Sequence, residues 1–194
     1  GGALAVTAMI GGVALYIHRI NRQLTRALAT SQATLNALYA SEARLRELNA
    51  RDALTGLANR ERLFEQLDTL LGAPQAQLAV LFIDLDGFKA INDQFGHAAG
   101  DQLLRVMAER MRASLPARAL LARLGGDEFV AVLPEAAHAT EHAQQLLAAL
   151  AAPLPTCDCT LSASIGMACA PTDGHDAQTL VQHADLAMYA DRKS

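Results

Sequence analysis

Two short apolar runs, residues 120–124 and 128–133, meet at Gly125-Gly126. Adjacent glycines between strand-like runs let the backbone reverse tightly, so the segment reads as a β-hairpin and the sheet is at least partly antiparallel. A third run, 77–85 (QLAVLFIDL), is apolar almost throughout, as a buried strand requires. Helices are predicted after Asn59, a good N-cap, through about Leu71, and over 88–94, 101–114, 138–151 and 176–192. Residues 160–168 read as a further strand. The expected fold class is therefore α/β, an α+β arrangement with a mixed central sheet flanked by helices. Apolar residues make up 52% of the 194 and charged residues 19%, so such a core is well supplied.

Carboxylates sit where these strands end. Asp84-Leu85-Asp86 closes the apolar strand, and alternation puts Asp84 and Asp86 on one face with Leu85 on the other. A carboxylate at a strand end, beside free backbone carbonyls, suits a hard cation, although alone it is more often a turn or a helix cap. Asp127-Glu128 follows the Gly-Gly turn. If the hairpin neighbours the Asp84 strand, Asp127 is expected to face Asp84 across the sheet. Carboxylates converging there need a divalent cation to offset their repulsion. A solvated hairpin tip would explain the glycines and one acid, but not the second acid cluster at another strand end.

Outside this domain the composition shifts. Residues 1–17 carry no charged side chain, and Arg19, Arg22 and Arg26 follow at once. At about 1.5 Å per residue the run spans roughly 25 Å, marginally short of a hydrocarbon core unless a further turn precedes it. The first residue is Gly1, so the chain is expected to be a piece of a longer product, with 1–18 ending a membrane-spanning helix. From Arg19 to Ala50 there is neither Pro nor Gly, and Leu24, Leu28, Leu35, Leu38 and Leu45 fall at coiled-coil spacing. Ser31, Glu42 and Asn49 interrupt that seam, so residues 19–51 read as a weak or switchable two-stranded helical linker. The domain proper is expected over 52–194.

Asp127-Glu128-Phe129 after Gly125-Gly126 spells GGDEF, and the chain resembles the GGDEF family of diguanylate cyclases. The likeness extends well beyond the pentapeptide. Asp52-Ala-Leu-Thr-Gly-Leu-Ala-Asn-Arg60 resembles the family's opening motif, and Asp84-Leu-Asp-Gly-Phe-Lys-Ala-Ile-Asn-Asp93 with Gly96-His97 and Gly100-Asp101 resembles its nucleotide segment. Ser164-Ile-Gly166 and Ala184-Asp-Leu-Ala-Met-Tyr189 are similar to its closing strand and helix.

The resemblance implies a palm-like domain that works as a homodimer. Each copy would hold one GTP, and the pair would release cyclic di-GMP and two pyrophosphates. It implies Mg²⁺ (or Mn²⁺) held by the Asp84 and Asp127 carboxylates and the Leu85 carbonyl. Asn92, His97 and Asp101 would form the guanine site, and adenine, lacking the N1–H and N2 donors, would leave their polar groups unpaired. Phe88 and Lys89, at the start of the next helix, would meet the phosphates together with Arg192. Asp127 and Glu128 are the expected catalytic acids. The partners implied are GTP, a second copy, the membrane through the N-terminal helix, and downstream cyclic di-GMP effectors. The expected location is the bacterial inner membrane with the catalytic domain in the cytoplasm. A net charge of −4, from 16 Lys+Arg against 20 Asp+Glu, argues against nucleic acid as a partner.

Two departures from the family pattern matter. Arg192 stands where the family has lysine, and Arg binds phosphate as a planar fork rather than a point charge. The product-binding Arg-x-x-Asp motif reads Pro116-Ala117-Arg118-Ala119, without either defining charge in place. The first departure leaves a second reading, a degenerate GGDEF module that binds GTP without turnover and acts as a regulatory partner. Two other patterns read as bland. His138-Ala-Thr-Glu-His142 has inverted zinc-protease spacing but no third ligand, and suits a solvated helix face. Cys157 and Cys159 suit reduced thiols, since three late cysteines build no disulfide framework.

Overall fold

The computed structural model describes residues 12, 18–26, 28, 30–39, 41, 50–153 and 161–191. The chain divides into two compact units, Gly1–Asn49 and Ala50–Ser194. In the first, residues 18–26 and 30–39 are helical, and hydroxyls of Thr25, Thr30 and Thr34 donate to the carbonyls one turn back. Leu24, Leu28, Leu35 and Leu38 of the expected seam are exposed there. Among the described residues no helix is long and apolar enough to cross a membrane. The expected span, 1–18, lies outside them apart from Gly12 and His18, as does Leu45.

The second unit orders its elements as α1 (Arg60–Leu71), β1 (Ala79–Asp86), α2 (Phe88–Phe95), α3 (His97–Ser114), β2 (Leu120–Gly125), β3 (Glu128–Leu133), a 3-10 turn (Ala136–His138), α4 (Ala139–Leu150), β4 (Ser162–Cys169) and α5 (Ala177–Asp191). The strands form one sheet in the order β2-β3-β1-β4, and every neighbouring pair is antiparallel. Among the described residues the parallel component of the expected mixed sheet is a single isolated bridge, Ala58 with Ala122.

Alternation along β1 divides the core. Leu81, Ile83 and Leu85 face a cluster that holds Phe88 of α2, Leu104, Met107 and Met111 of α3, and Leu146 and Leu150 of α4. Val80 and Phe82 face the other cluster, with Leu63 and Leu67 of α1 and Leu180, Ala184 and Met188 of α5. Both faces of the central strand are covered, which is why its sequence shows no polar alternation until it reaches Asp84.

Local signals set most boundaries. Asn59 caps α1, its side chain accepting from the Arg62 amide at 2.9 Å. Asp176 does the same for α5, accepting from the Thr179 amide and hydroxyl at 2.9 and 2.7 Å. The third helix begins at His97 rather than at Asp101 as the sequence suggested. The break before it is made by Gly96 alone, whose amide closes α2 on the Asn92 carbonyl at 2.8 Å.

Candidate active site

The hairpin places the acids differently from the sequence expectation. Gly125 pairs with Glu128, so Gly126 and Asp127 form the two-residue turn, with φ of 148° and 52° at the two glycines. A register irregularity between Arg123 and Gly125 puts one extra residue, Leu124, on the β2 side. Across the separate β1–β3 ladder, Glu128 rather than Asp127 stands opposite Asp84. Directly opposed residues share a face, about 5 Å apart at Cβ. Asp127 stays joined to β1 by its carbonyl, which accepts from the Leu85 amide at 3.4 Å.

Asp84 and Glu128 lie on the face covered by α1 and α5, because they continue the Val80–Phe82 and Val130–Val132 positions. The Leu85 side chain is buried on the other face. Burial pushes the Glu128 carboxyl up from its ordinary value, and the negative charges of Asp84, Asp185 and Asp127 push it the same way, against a lowering by Arg60. Hard oxygen donors whose mutual repulsion is already expressed in one raised carboxyl fit a divalent cation. Asp84 and Asp127 would hold it with the Leu85 carbonyl, and Glu128 would add its negative charge beside it. Among the described residues no three His, Cys, Asp or Glu side chains gather closely enough to bind an ion unaided.

Asp86, on the same side of β1 as Asp84, has a structural attachment. It accepts from the hydroxyls of Ser162 and Ser164 on β4, at 3.1 and 2.9 Å. These bonds pin the end of β1 to the edge strand next to the acid pair.

A cleft of about 640 Å³ opens beside Glu128, between the sheet and helices α1 and α5. Phe64, Phe82, Leu124 and Val181 give it apolar walls, and Arg60, Glu128, Gln178, Gln182 and Asp185 give it polar groups. The sequence reading assigned no role to Arg60 or Asp185, which lie far from Glu128 in the chain. One signal was available for Arg60. It is the first residue of α1, where the helix dipole disfavours a cation, so an arginine there calls for a nearby anion.

Arg123 ties the hairpin to the chain before α1. Its Nη1 reaches both Asp52 carboxylate oxygens at 3.1 Å, while Nε and Nη2 donate to the Gly126 carbonyl at 3.0 and 2.8 Å. Asp52 also accepts from the Thr55 amide and hydroxyl at 2.8 and 2.6 Å. Burial alone would raise the Asp52 carboxyl, but these bonds from Thr55 and Arg123 outweigh it and hold the group below its ordinary value.

The expected base site lies on the other side of β1. Asn92 is in α2, and His97 and Asp101 stand one turn apart at the start of α3. His97, Asp101 and Lys89 are exposed, whereas Phe88 is buried beneath them. Arg192, Cys157 and Cys159 lie outside the described residues. The histidine decoy resolves into surface pairs, His138 with Glu141 at 3.4 Å and His142 with Gln145 at 3.3 Å.

The chain has counterparts among known proteins. Residues 49–194 match the family model described as "Diguanylate cyclase, GGDEF domain". The chain is 39% identical over 196 residues to the bifunctional diguanylate cyclase/cyclic di-GMP phosphodiesterase MucR of Pseudomonas aeruginosa, covering 96% of this chain and 28% of that protein. It is 40% identical over 173 residues to the diguanylate cyclase TpbB of Pseudomonas aeruginosa, covering 81% of this chain and 40% of that one. The chain thus spans well under half the length of these curated relatives. Among solved structures, a sensory box/GGDEF family protein from Caulobacter crescentus superposes with a TM-score of 0.69 at 40% identity, over 74% of this chain and 98% of that one. The coiled coil and GGDEF domain of DgcB from Caulobacter crescentus, in complex with c-di-GMP, gives 0.70 at 25% identity, over 88% and 94%.

Proposed function

Since the chain belongs to the GGDEF diguanylate cyclase family, we propose that it condenses two GTP molecules into cyclic di-GMP and two pyrophosphates. The observation that carries the reading is the register, which sets Asp84 against Glu128, a residue lining the cleft that also holds Arg60. Each 3′-hydroxyl forms a bond to the other nucleotide's α-phosphorus as the bond to pyrophosphate breaks. Asp84, Asp127 and the Leu85 carbonyl would hold Mg²⁺ or Mn²⁺, which would supply charge neutralisation and a lower hydroxyl pKa. Glu128, with its raised carboxyl, is suited to take the hydroxyl proton, and Asp127 shares that work from the turn.

Substrate binding divides over the two faces. Asn92, His97 and Asp101 meet the guanine edge, and the Gly87–Phe88 amides with Lys89 meet phosphate at the start of α2. Arg60 adds a cation from the cleft side, and Arg192 is assigned to the same polyanion. One domain carries one such site while the product joins two nucleotides, so the working form is a homodimer. The exposed leucines at 24, 28, 35 and 38 supply the seam that brings two copies together.

The domain plan follows from the sequence pattern, with 1–18 ending a membrane span, 19–51 a helical linker and 52–194 the catalytic domain. The charge-free run 1–17 followed by three arginines supports attachment to a bacterial inner membrane with the enzyme on its cytoplasmic side, where cyclic di-GMP effectors receive the product. Arginine at the family's lysine position favours the second reading, a GTP-binding module without turnover. Incubation with GTP and Mg²⁺ separates the two, since product appears in one case and GTP only binds in the other.

A further inference from the structure

Gly100 lies in the second turn of α3, an 18-residue helix, and is buried. Glycine is the poorest helix former after proline, so its presence there needs a reason other than helix stability. Its φ is not in the left-handed range, which removes backbone conformation as that reason. Space is the remaining one. A Cβ added to Gly100 would overlap the side-chain amide oxygen of Asn92, stand 2.9 Å from its Cγ, and approach Phe88 Cζ at 3.2 Å. The Asn92 amide therefore occupies the volume that any other residue at position 100 would fill. His97, Gly100 and Asp101 are spaced i, i+3 and i+4, so they share one face of α3. Asn92 rests on the bare spot at Gly100, beside the other two.

We infer that Gly100 is a positioning residue for base recognition: the missing side chain seats the Asn92 amide against α3 on the face that carries His97 and Asp101, so that one polar edge meets the guanine. The inference rests on the guanosine-nucleotide reading above and adds what sets the spacing of its donors and acceptors. Its contribution is to selectivity and nucleotide affinity rather than to the phosphate chemistry, which lies at the β1 and β3 ends.

The test is equilibrium binding of GTP and of inorganic pyrophosphate to the full chain, as wild type, Gly100→Ala, Asn92→Ala and the double variant. Gly100→Ala is expected to weaken GTP at least about ten-fold while leaving pyrophosphate within about two-fold. In the Asn92→Ala background only the 3.2 Å approach to Phe88 Cζ remains, so adding Gly100→Ala should change GTP affinity less than about two-fold further and should recover most of the thermal stability the single variant lost. Equal loss of GTP and pyrophosphate, additive effects in the double variant, or an unchanged GTP affinity each overturns the inference. A wild type that binds pyrophosphate but shows no preference for GTP over ATP overturns the guanine reading itself, and is distinguished from those outcomes by the wild-type measurement alone.

Discussion

Asp84 of β1 and Glu128 of β3 are directly opposed across an antiparallel ladder, on the face that α1 and α5 cover. Like charges so placed repel, and burial sharpens the effect. The arrangement tells the two acids of the hairpin apart, since Glu128 is fixed in the sheet while Asp127 rides on the turn.

Asp84→Asn should weaken Mn²⁺ binding by at least about ten-fold, because it removes a charged oxygen donor, and Glu128→Gln should weaken it less, because it removes only a neighbouring negative charge. Titration followed by the Mn²⁺ paramagnetic signal checks this. Affinity unchanged in both variants would remove the metal from this pair.

Asp52→Asn should destabilise the domain at neutral pH by about 2 kcal/mol, a lowering of Tm by about 4–8 °C, since the Arg123 side chain is only 11% exposed and loses its charged partner. The native pKa lies below the unfolded one, so this stabilisation is fully present above the ordinary carboxylate value. It is lost as pH falls through the native value. Melting curves of both proteins should converge only once pH falls below that native value, under the ordinary carboxylate range. A difference that persists undiminished at acid pH would mean that the Asp52 charge is not its source.

Arg60→Ala should raise the KM for GTP about ten-fold, about 1.4 kcal/mol, and Arg60→Lys should recover part of the loss. Steady-state kinetics with both variants decide it, and an unaltered KM would confine Arg60 to neutralising Glu128.

What the sequence made legible was whatever a local pattern encodes. The hairpin, the doubly buried strand, the Asn59 cap and both acid clusters follow from runs of a few residues. The Asp84–Glu128 register did not, because it is set by the pairing of two strands distant in the chain, which no run of a few residues encodes. The approach of Arg60 and Asp185 to Glu128 and the Arg123–Asp52 pair, 71 residues apart, arise from how α1 and α5 cross the sheet. Gly100 looked like a motif letter until the space above it proved to be filled by Asn92.

Product inhibition through an upstream site should be missing. The Arg-x-x-Asp positions hold Pro116 and Ala119, and two lost charged contacts, at about 1.5–3 kcal/mol each, weaken such a site by several powers of ten. Initial rates at saturating GTP should be insensitive to added cyclic di-GMP at low micromolar levels. Noncompetitive inhibition there would reveal a product site built from other residues.

The most direct measurement is chromatographic detection of cyclic di-GMP after the full chain is incubated with GTP and Mg²⁺, beside Asp127→Ala and a metal-free control. The account predicts product from the wild type, a rate at least about 10²-fold lower for the variant, equivalent to about 2.7 kcal/mol, and none without metal. Near-normal product from a folded Asp127→Ala protein, or GTP bound by the wild type without any turnover, would contradict it.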